Sequence, residues 1–168
     1  MARLTLSDLT EDEYGRVLLA VHEAGHAVMA ALAGGRVTAC TASAGHGNVE
    51  FYGHDPARTA GIAWAGSFAE LLFVHGDRPP ESAVREAFAE VSAEDREGMT
   101  SGRPRQAEAD IRFAMPAIRR LASRIYAQGF ATRTEIHAAL GVRPGMDIDM
   151  VRWAYRNRID PATVTPAA

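Results

Sequence analysis

The sequence of 168 residues contains no lysine, and all 18 of its basic residues other than histidine are arginine. A Walker-type phosphate loop requires a lysine in the pattern GxxxxGK[ST], so this ATP-binding motif is excluded. Any ATP-driven step would therefore require a separate ATPase as a partner. The formal net charge of −3 leaves no broad basic surface, which argues against nucleic acid as the main partner.

Cysteine and long apolar runs are also scarce. Cys40 is the only cysteine, which excludes an intrachain disulfide and a zinc site built from several thiolates. No apolar run approaches the roughly 20 residues that span a bilayer, and the first residues lack the layout of a secretory signal. We therefore expect no membrane span and a reducing compartment, most simply the cytoplasm.

Apolar residues recur at helical spacing through most of the chain, which predicts one mainly helical globular domain. Thr10 and Glu13 have the spacing of a capping box, and Gly34 and Gly35 would end the helix that begins there. Two runs around the turn-prone AGHG predict a β-hairpin, 36–43 and 48–53. Further helices are predicted over 57–75, 81–91, from Ser92 onward, 106–128, 132–140 and 147–158. The predicted fold class is mainly α (α+β).

The first predicted helix contains the string VHEAGHA, residues 21–27, in which His22, Glu23 and His26 interrupt an apolar run. Residues four apart lie on the same face of a helix, so both imidazoles can point at one metal ion. Glu23 is offset by about 100° around the helix, from where it can reach a water beside the ion. Zinc brings the pKa of such a water near 7, and a carboxylate can then take its proton. The pattern predicts a Zn²⁺ site with Glu23 as the catalytic base.

A bare HExxH pattern also arises by chance in a chain with six histidines. In that case the helix would belong to a metal-free interaction protein. The small residues between His22, Glu23 and His26 leave room for a metal and a substrate, and therefore favour a genuine site.

Three stretches, in order, resemble the zinc-protease domain of the FtsH-type ATP-dependent proteases. HEAGHA (22–27) matches the family's metal motif, AGSFAELLF (65–73) is similar to its small-residue helix, and VSAEDREGM (91–99) falls where the family carries its third ligand. The helix over 112–132 resembles the segment that closes this domain in small relatives.

The resemblance implies a site as well as a fold. His22, His26 and Asp95 would hold the metal, Glu23 would be the general base, and Glu70 would orient a ligand imidazole. The implied fold is a single zincin-like helical domain over 1–140, with the hairpin beside the metal helix. Residues 141–168 would form a C-terminal helix and a loose tail.

The sequence departs from the family pattern at several positions. Ser67 and Leu71 replace the usual arginine and second acid, and the motif around Asp95 has lost its glycine and asparagine. Asp95 also has the spacing of a first-turn acid after a cap at Ser92. Three other acids remain alternatives for the third ligand: Glu70, Glu94 and Asp110.

These observations predict a zinc-dependent peptidase that hydrolyses peptides or flexible protein segments. The alternative is a catalytically silent module that keeps the protease fold and captures a partner segment in its groove. His46 and His54 flank the predicted hairpin and are weaker candidates for a place beside the groove.

Overall fold

A computed structural model of the chain describes residues 8–43, 45–99 and 102–165. These residues form one small sheet and seven α-helices. The elements follow in the order α1 (Glu11–Leu32), β1 (Arg36–Ser43), β2 (His46–Tyr52), α2 (Thr59–His75), α3 (Glu81–Glu90), α4 (Ala93–Gly98), α5 (Arg105–Gln128), α6 (Arg133–Leu140) and α7 (Ile148–Arg156). The predicted fold class, mainly α with a small antiparallel sheet, is confirmed.

Helix α1 is the central element of the fold. It begins at the predicted capping box: the amide of Glu13 donates to Thr10 Oγ1, and the amide of Thr10 donates to Glu13 Oε2. The helix stops just before Gly34, whose φ of +94° suits glycine. Its second half is buried almost all round, so this helix is enclosed by other elements rather than half-exposed.

Helices α1 and α2 approach each other closely because small residues face each other. A Cβ added at Gly25 would lie 2.6 Å from the backbone oxygen of Ala65, so only glycine permits this contact. Large side chains of α2 fill the core beside it, and Trp64 and Phe68 are both fully buried. The close approach brings the backbone of α2 next to the polar residues of α1.

The two strands form a hairpin that lies along α1. Val37 pairs with Phe51 and Cys40 with Val49, with an irregularity in the register next to Val37. The other edge of β1 is covered by the segment after α5, since the amide of Ala42 donates to the carbonyl of Gly129. Among the described residues, the outer edge of β2 has no partner strand.

A short connection sets α4 against α2. The guanidinium of Arg96 donates to the backbone oxygens of Ala89 and Val91, at 2.8 and 3.2 Å, which ties α4 to the end of α3. A Cβ added at Gly98 would lie 2.8 Å from the Cβ of Ala63, so α4 packs directly on α2. The acids in the first turn of α4 are thereby held near the polar face of α1.

Part of the C-terminal tail is packed, whereas the sequence predicts a loose tail. Asp160 caps a short 3₁₀ turn over Pro161–Thr163, and Pro161 is buried. The guanidinium of Arg143 donates to the carbonyl of Val164. A cap and a buried proline ring therefore order the described part of this segment. No helix in the described ranges is long and apolar enough to cross a membrane.

Candidate metal centre

The side chains of His22 and His26 converge on one point beside α2. Their Nε2 atoms lie 2.9 Å apart, one helical turn from each other on α1. Gly66 of α2 faces both rings: a Cβ there would lie 2.5 Å from His26 Nε2 and 2.6 Å from His22 Nε2. The missing side chain at Gly66 therefore leaves the space that both Nε2 atoms share.

The opposite nitrogen of each ring is held by an acceptor. His22 Nδ1 lies 2.5 Å from Glu70 Oε1, and His26 Nδ1 lies 2.8 Å from the carbonyl oxygen of Ile62. When Nδ1 carries the hydrogen, the lone pair of a neutral imidazole is on Nε2. Such partners fix the ring orientation and the tautomer of metal-binding histidines. Both rings are thus arranged to offer Nε2 as a ligand atom.

Asp95 completes a group of three potential ligands. Its oxygens lie 3.7 Å from His22 Nε2 and 3.5 Å from His26 Nε2, and one ligand atom from each residue falls within 4.8 Å of the others. Ser92 caps α4, accepts from the amide of Asp95 and donates to its Oδ2, so the carboxylate is oriented by the start of its helix. Asp95 can therefore be both a first-turn acid of α4, hydrogen-bonded to Ser92, and a metal ligand.

Glu23 lies beside the three ligands, on the side of the hairpin. It is 6% exposed, and a Cβ added at Gly47 of β2 would lie 2.0 Å from Glu23 Oε1. Among the described side chains, none forms a hydrogen bond with its carboxylate. The carboxylate therefore borders the cleft without being committed to a structural partner.

The protonation states of the pair differ because their surroundings differ. Burial lowers the pKa of His22, but the carboxylates of Asp95 and Glu70 outweigh this effect and raise it to about 10. Burial, reinforced by the nearby charge of His22, lowers the pKa of His26 to about 4. In the metal-free protein at pH 7, His22 is thus an imidazolium that can donate from Nε2 to the neutral His26.

The two carboxylates also differ. Burial raises the pKa of Glu23 to about 7, aided by the negative charges of Asp95 and Glu70 and opposed by His22. The pKa of Asp95 is lowered, since contacts with His22, His26 and Ser92 outweigh its burial. Asp95 is therefore an ionised ligand candidate, and Glu23 has the pKa of a group that exchanges a proton near neutrality.

These residues line a cleft of about 370 Å³ between α1, β2, α2 and α4. Val49 and Phe51 of the hairpin and Ile62 of α2 give it apolar walls around the polar centre. A concave site with apolar walls and a few convergent polar groups is typical of small-molecule and peptide-binding sites.

The other sequence candidates lie at different distances from this centre. Glu70 contacts His22 Nδ1, as expected for a residue that orients a ligand. Glu94 lines the cleft, but it is not part of the three-residue group. Asp110 is paired with Arg58 and Arg158 elsewhere and is not brought to the site. His46 is exposed at the start of β2, and His54 contacts Thr59 Oγ1 at 2.9 Å.

Gly66 and the carbonyl of Ile62 contribute to the site but were not predicted from the sequence. Gly66 carries a signal that could have been used, since a glycine within a helix costs stability and requires a packing reason. The carbonyl of Ile62 carries no signal, because every residue has one and only the packing of α2 aims it at His26.

The donor set fits a divalent cation. Two imidazole nitrogens and a carboxylate oxygen are ligands that suit zinc, and three protein ligands leave a position open, as catalytic sites require. The group does not by itself distinguish zinc from other first-row metals. The chain was compared with known protein families, curated proteins and solved structures, and nothing matched it in any of the three.

Proposed function

We propose that this chain is a zinc-dependent peptidase in which His22, His26 and Asp95 hold the ion and Glu23 is the general base. The observation that carries the proposal is the convergence of two Nε2 atoms and one carboxylate within 4.8 Å. The anchoring of both Nδ1 atoms and the space left by Gly66 support it. The three stretches that resemble the FtsH-type proteases point to the same residues.

A bound zinc ion supplies Lewis-acid polarisation of a carbonyl and lowers the pKa of water. Glu23 would take a proton from the attacking water as its oxygen bonds to the carbonyl carbon. It would then return this proton to the amine nitrogen as the C–N bond breaks. In the metal-free protein burial raises the pKa of Glu23 to about 7. A bound cation would favour the ionised carboxylate, which is the form that a general base requires.

The hairpin provides a way to hold an extended substrate. The outer edge of β2 borders the cleft, and in the described part of the chain no strand pairs with it. A peptide that adds to this edge would be fixed by main-chain hydrogen bonds across the metal centre. The proposed substrates are therefore peptides and flexible segments; folded proteins would require a separate ATPase to unfold them. A reducing, cytoplasmic setting is part of the proposal, since the single cysteine is a buried thiol.

Metal content is the first test. Elemental analysis of gently purified, untagged protein should find about one zinc per chain. Asp95→Asn should lose most of it, whereas Glu94→Gln, a change of the neighbouring acid in the same cleft, should retain it. No zinc in the unaltered protein, even after reconstitution, would overturn the proposal.

Hydrolysis is the second test. The zinc-loaded protein is incubated with a mixed peptide library, and the new termini are read by mass spectrometry. We expect cleavage that a chelator abolishes and added zinc restores.

The free edge of β2 also favours a second candidate, a module that captures a partner segment without cutting it. This candidate predicts bound zinc, no new termini in the library and stoichiometric retention of an extended peptide. The same two experiments therefore separate a peptidase from a binding module.

A further inference from the structure

A second hollow, of about 410 Å³, lies along the α1–α2 pair. It is formed by the last turn of α1, the first turn of α2, and parts of α5 and α7. Of the residues that the structure describes, only Ile62 lines both this hollow and the metal cleft. The hollow is therefore a separate site that the proposed peptidase chemistry does not use.

Four arginines line this hollow: Arg58, Arg152, Arg156 and Arg158. Two acids, Asp55 and Asp110, also face it, so the lining has an excess of positive charge. The carboxylate of Asp55 is engaged in capping, since it accepts from the amide of Ala57. The acids therefore do not neutralise the arginines one for one.

The four guanidinium groups differ in how many of their N–H donors already have a hydrogen-bond or ion-pair partner. Arg58 and Arg158 share the carboxylate of Asp110, at 3.1 and 2.5 Å. Arg152 donates to the carbonyl of Ala31 and to Asp149. Among the described residues, none forms a hydrogen bond or ion pair with the guanidinium of Arg156, which is exposed at the end of α7. Each guanidinium has five N–H donors, so unused donors remain at the rim of the hollow.

Arg158 is held in an unusual backbone conformation. Its φ of +57° is the only positive value at a non-glycine residue in the described ranges. Donation from its guanidinium to the carbonyl of Ala109 and to Asp110 keeps the side chain at the hollow. This left-handed residue ends α7, since the amide of Arg158 donates to the carbonyl of Tyr155 and the amide of Ile159 donates to that of Ala154.

The floor of the hollow is apolar. Met29, Leu32 and Ile62 line it together with Tyr155, which is 8% exposed. An apolar floor under a rim of guanidiniums fits a molecule that has one apolar and one anionic part. Guanidinium groups bind carboxylate and phosphate through paired N–H donors.

We propose that this hollow is a binding site for a small organic anion, with an apolar body on the Met29–Leu32–Ile62–Tyr155 floor and a phosphate or carboxylate head at the arginine rim. The site is distinct from the metal centre, and its occupancy does not depend on Glu23 or on hydrolysis.

Phenyl phosphate is a suitable probe, with inorganic phosphate, benzoate and phenol as comparisons. In calorimetric titrations at low salt, phenyl phosphate should bind saturably and at least about fivefold more tightly than inorganic phosphate, because the ring adds apolar contact. Phenol should bind most weakly because it has no anionic head. Methyl shifts in NMR spectra should change at Met29, Leu32 and Ile62. Benzoate that binds better than phenyl phosphate would identify carboxylate as the preferred head.

Two matched variants test the arginine rim. Arg156→Gln should weaken phenyl phosphate about tenfold without changing the melting temperature of the free protein, because Arg156 has no partner to lose. Arg119→Gln removes the same charge from the exposed face of α5 and should leave binding unchanged. Equal losses in both variants, no saturable binding, or inorganic phosphate binding as tightly as phenyl phosphate would overturn the proposal.

Discussion

The metal cleft and the arginine-lined hollow are neighbours, yet they are built in different ways. In the cleft, both histidines come from α1 and each is oriented by a partner, Glu70 for His22 and the carbonyl of Ile62 for His26, while Asp95 is added from α4. In the hollow, three of the four arginines lie on or directly after α7 and the fourth precedes α2, and several already have acidic partners. The cleft is thus pre-organised around the space that the two histidine Nε2 atoms share, whereas the hollow presents several guanidinium groups around a wider opening. The difference is consistent with the two roles proposed above, a metal-dependent reaction at the cleft and anion binding at the hollow.

Among the variants that separate the cleft from the hollow, Glu23→Gln should have the largest effect on hydrolysis. The change keeps the size of the side chain but removes the base, so hydrolysis should fall by about 10²- to 10⁴-fold while zinc content stays the same. The rate is measured on a peptide found in the library screen. Phenyl phosphate binding at the hollow is the control and should not change. Cleavage at the unaltered rate would contradict the role of Glu23.

Two glycines of α2 allow the cleft and the hollow to be perturbed separately. Gly66→Ala would place a methyl group 2.5 Å from His26 Nε2, so zinc affinity should fall by at least about a hundredfold. Gly61→Ala would place one 2.8 Å from the Cβ of Ala107, on the side of the hollow. This control should cost about 1–3 kcal/mol of folding stability with zinc affinity retained. Zinc affinity is measured by competition with a chromogenic chelator, and equal losses in both variants would mean that Gly66 acts through packing alone.

Sequence reasoning found the parts of the cleft that lie close together in the chain. His22, Glu23 and His26 are fixed relative to one another by helical geometry, so their spacing was enough to predict which face they share. The capping box at Thr10 and the glycine stop at Gly34 likewise depend on residues within a few positions. Most helix boundaries were therefore predicted to within one or two residues.

The parts that sequence reasoning left open depend on contacts between distant segments. Asp95 was favoured as the third ligand only by the resemblance, and the spacing of residues alone left Glu70, Glu94 and Asp110 as alternatives, because the choice depends on how α4 packs on α2. Asp110 had the right chemistry, but the fold commits it to Arg58 and Arg158. The arginine-lined hollow was not foreseen at all, since its residues are spread from the end of α1 to the segment after α7.

The role of Glu70 can be tested by removing the contact with His22. Glu70→Ala should weaken zinc binding by about 10- to 100-fold, as is typical when the partner of a ligand histidine is lost. Glu70→Gln keeps an acceptor for Nδ1 and should lose less. Glu94→Gln is the matched control because it alters an acid of the cleft that does not contact either histidine Nδ1. Equal zinc affinity in Glu70→Ala and the unaltered protein would exclude an orienting role.

The smallest expected effect is a pH dependence, which arises from the proton that His22 holds in the metal-free protein. Its pKa of about 10 lies above the ordinary value, so it stabilises the fold at pH values below 6.5 and this contribution is lost as the pH rises toward 10. His26 has a lowered pKa of about 4, so its contribution is instead lost as the pH falls from 6.5 toward 4. Nitrogen NMR of the two rings should therefore show an imidazolium at His22 and a neutral ring at His26 at pH 7.

A cation held by both Nε2 atoms must displace this proton from His22. Zinc affinity should consequently rise about tenfold for each pH unit between 6 and 7, and the His22 signal should lose its imidazolium character when zinc is added. The hollow provides the contrast, because arginine stays charged throughout this range and binding of benzoate there should be independent of pH. If both histidines titrated together near 6.5, the hydrogen-bonded pair would not exist in solution. The metal centre and the arginine-lined hollow would then no longer differ in how their ligand binding depends on pH.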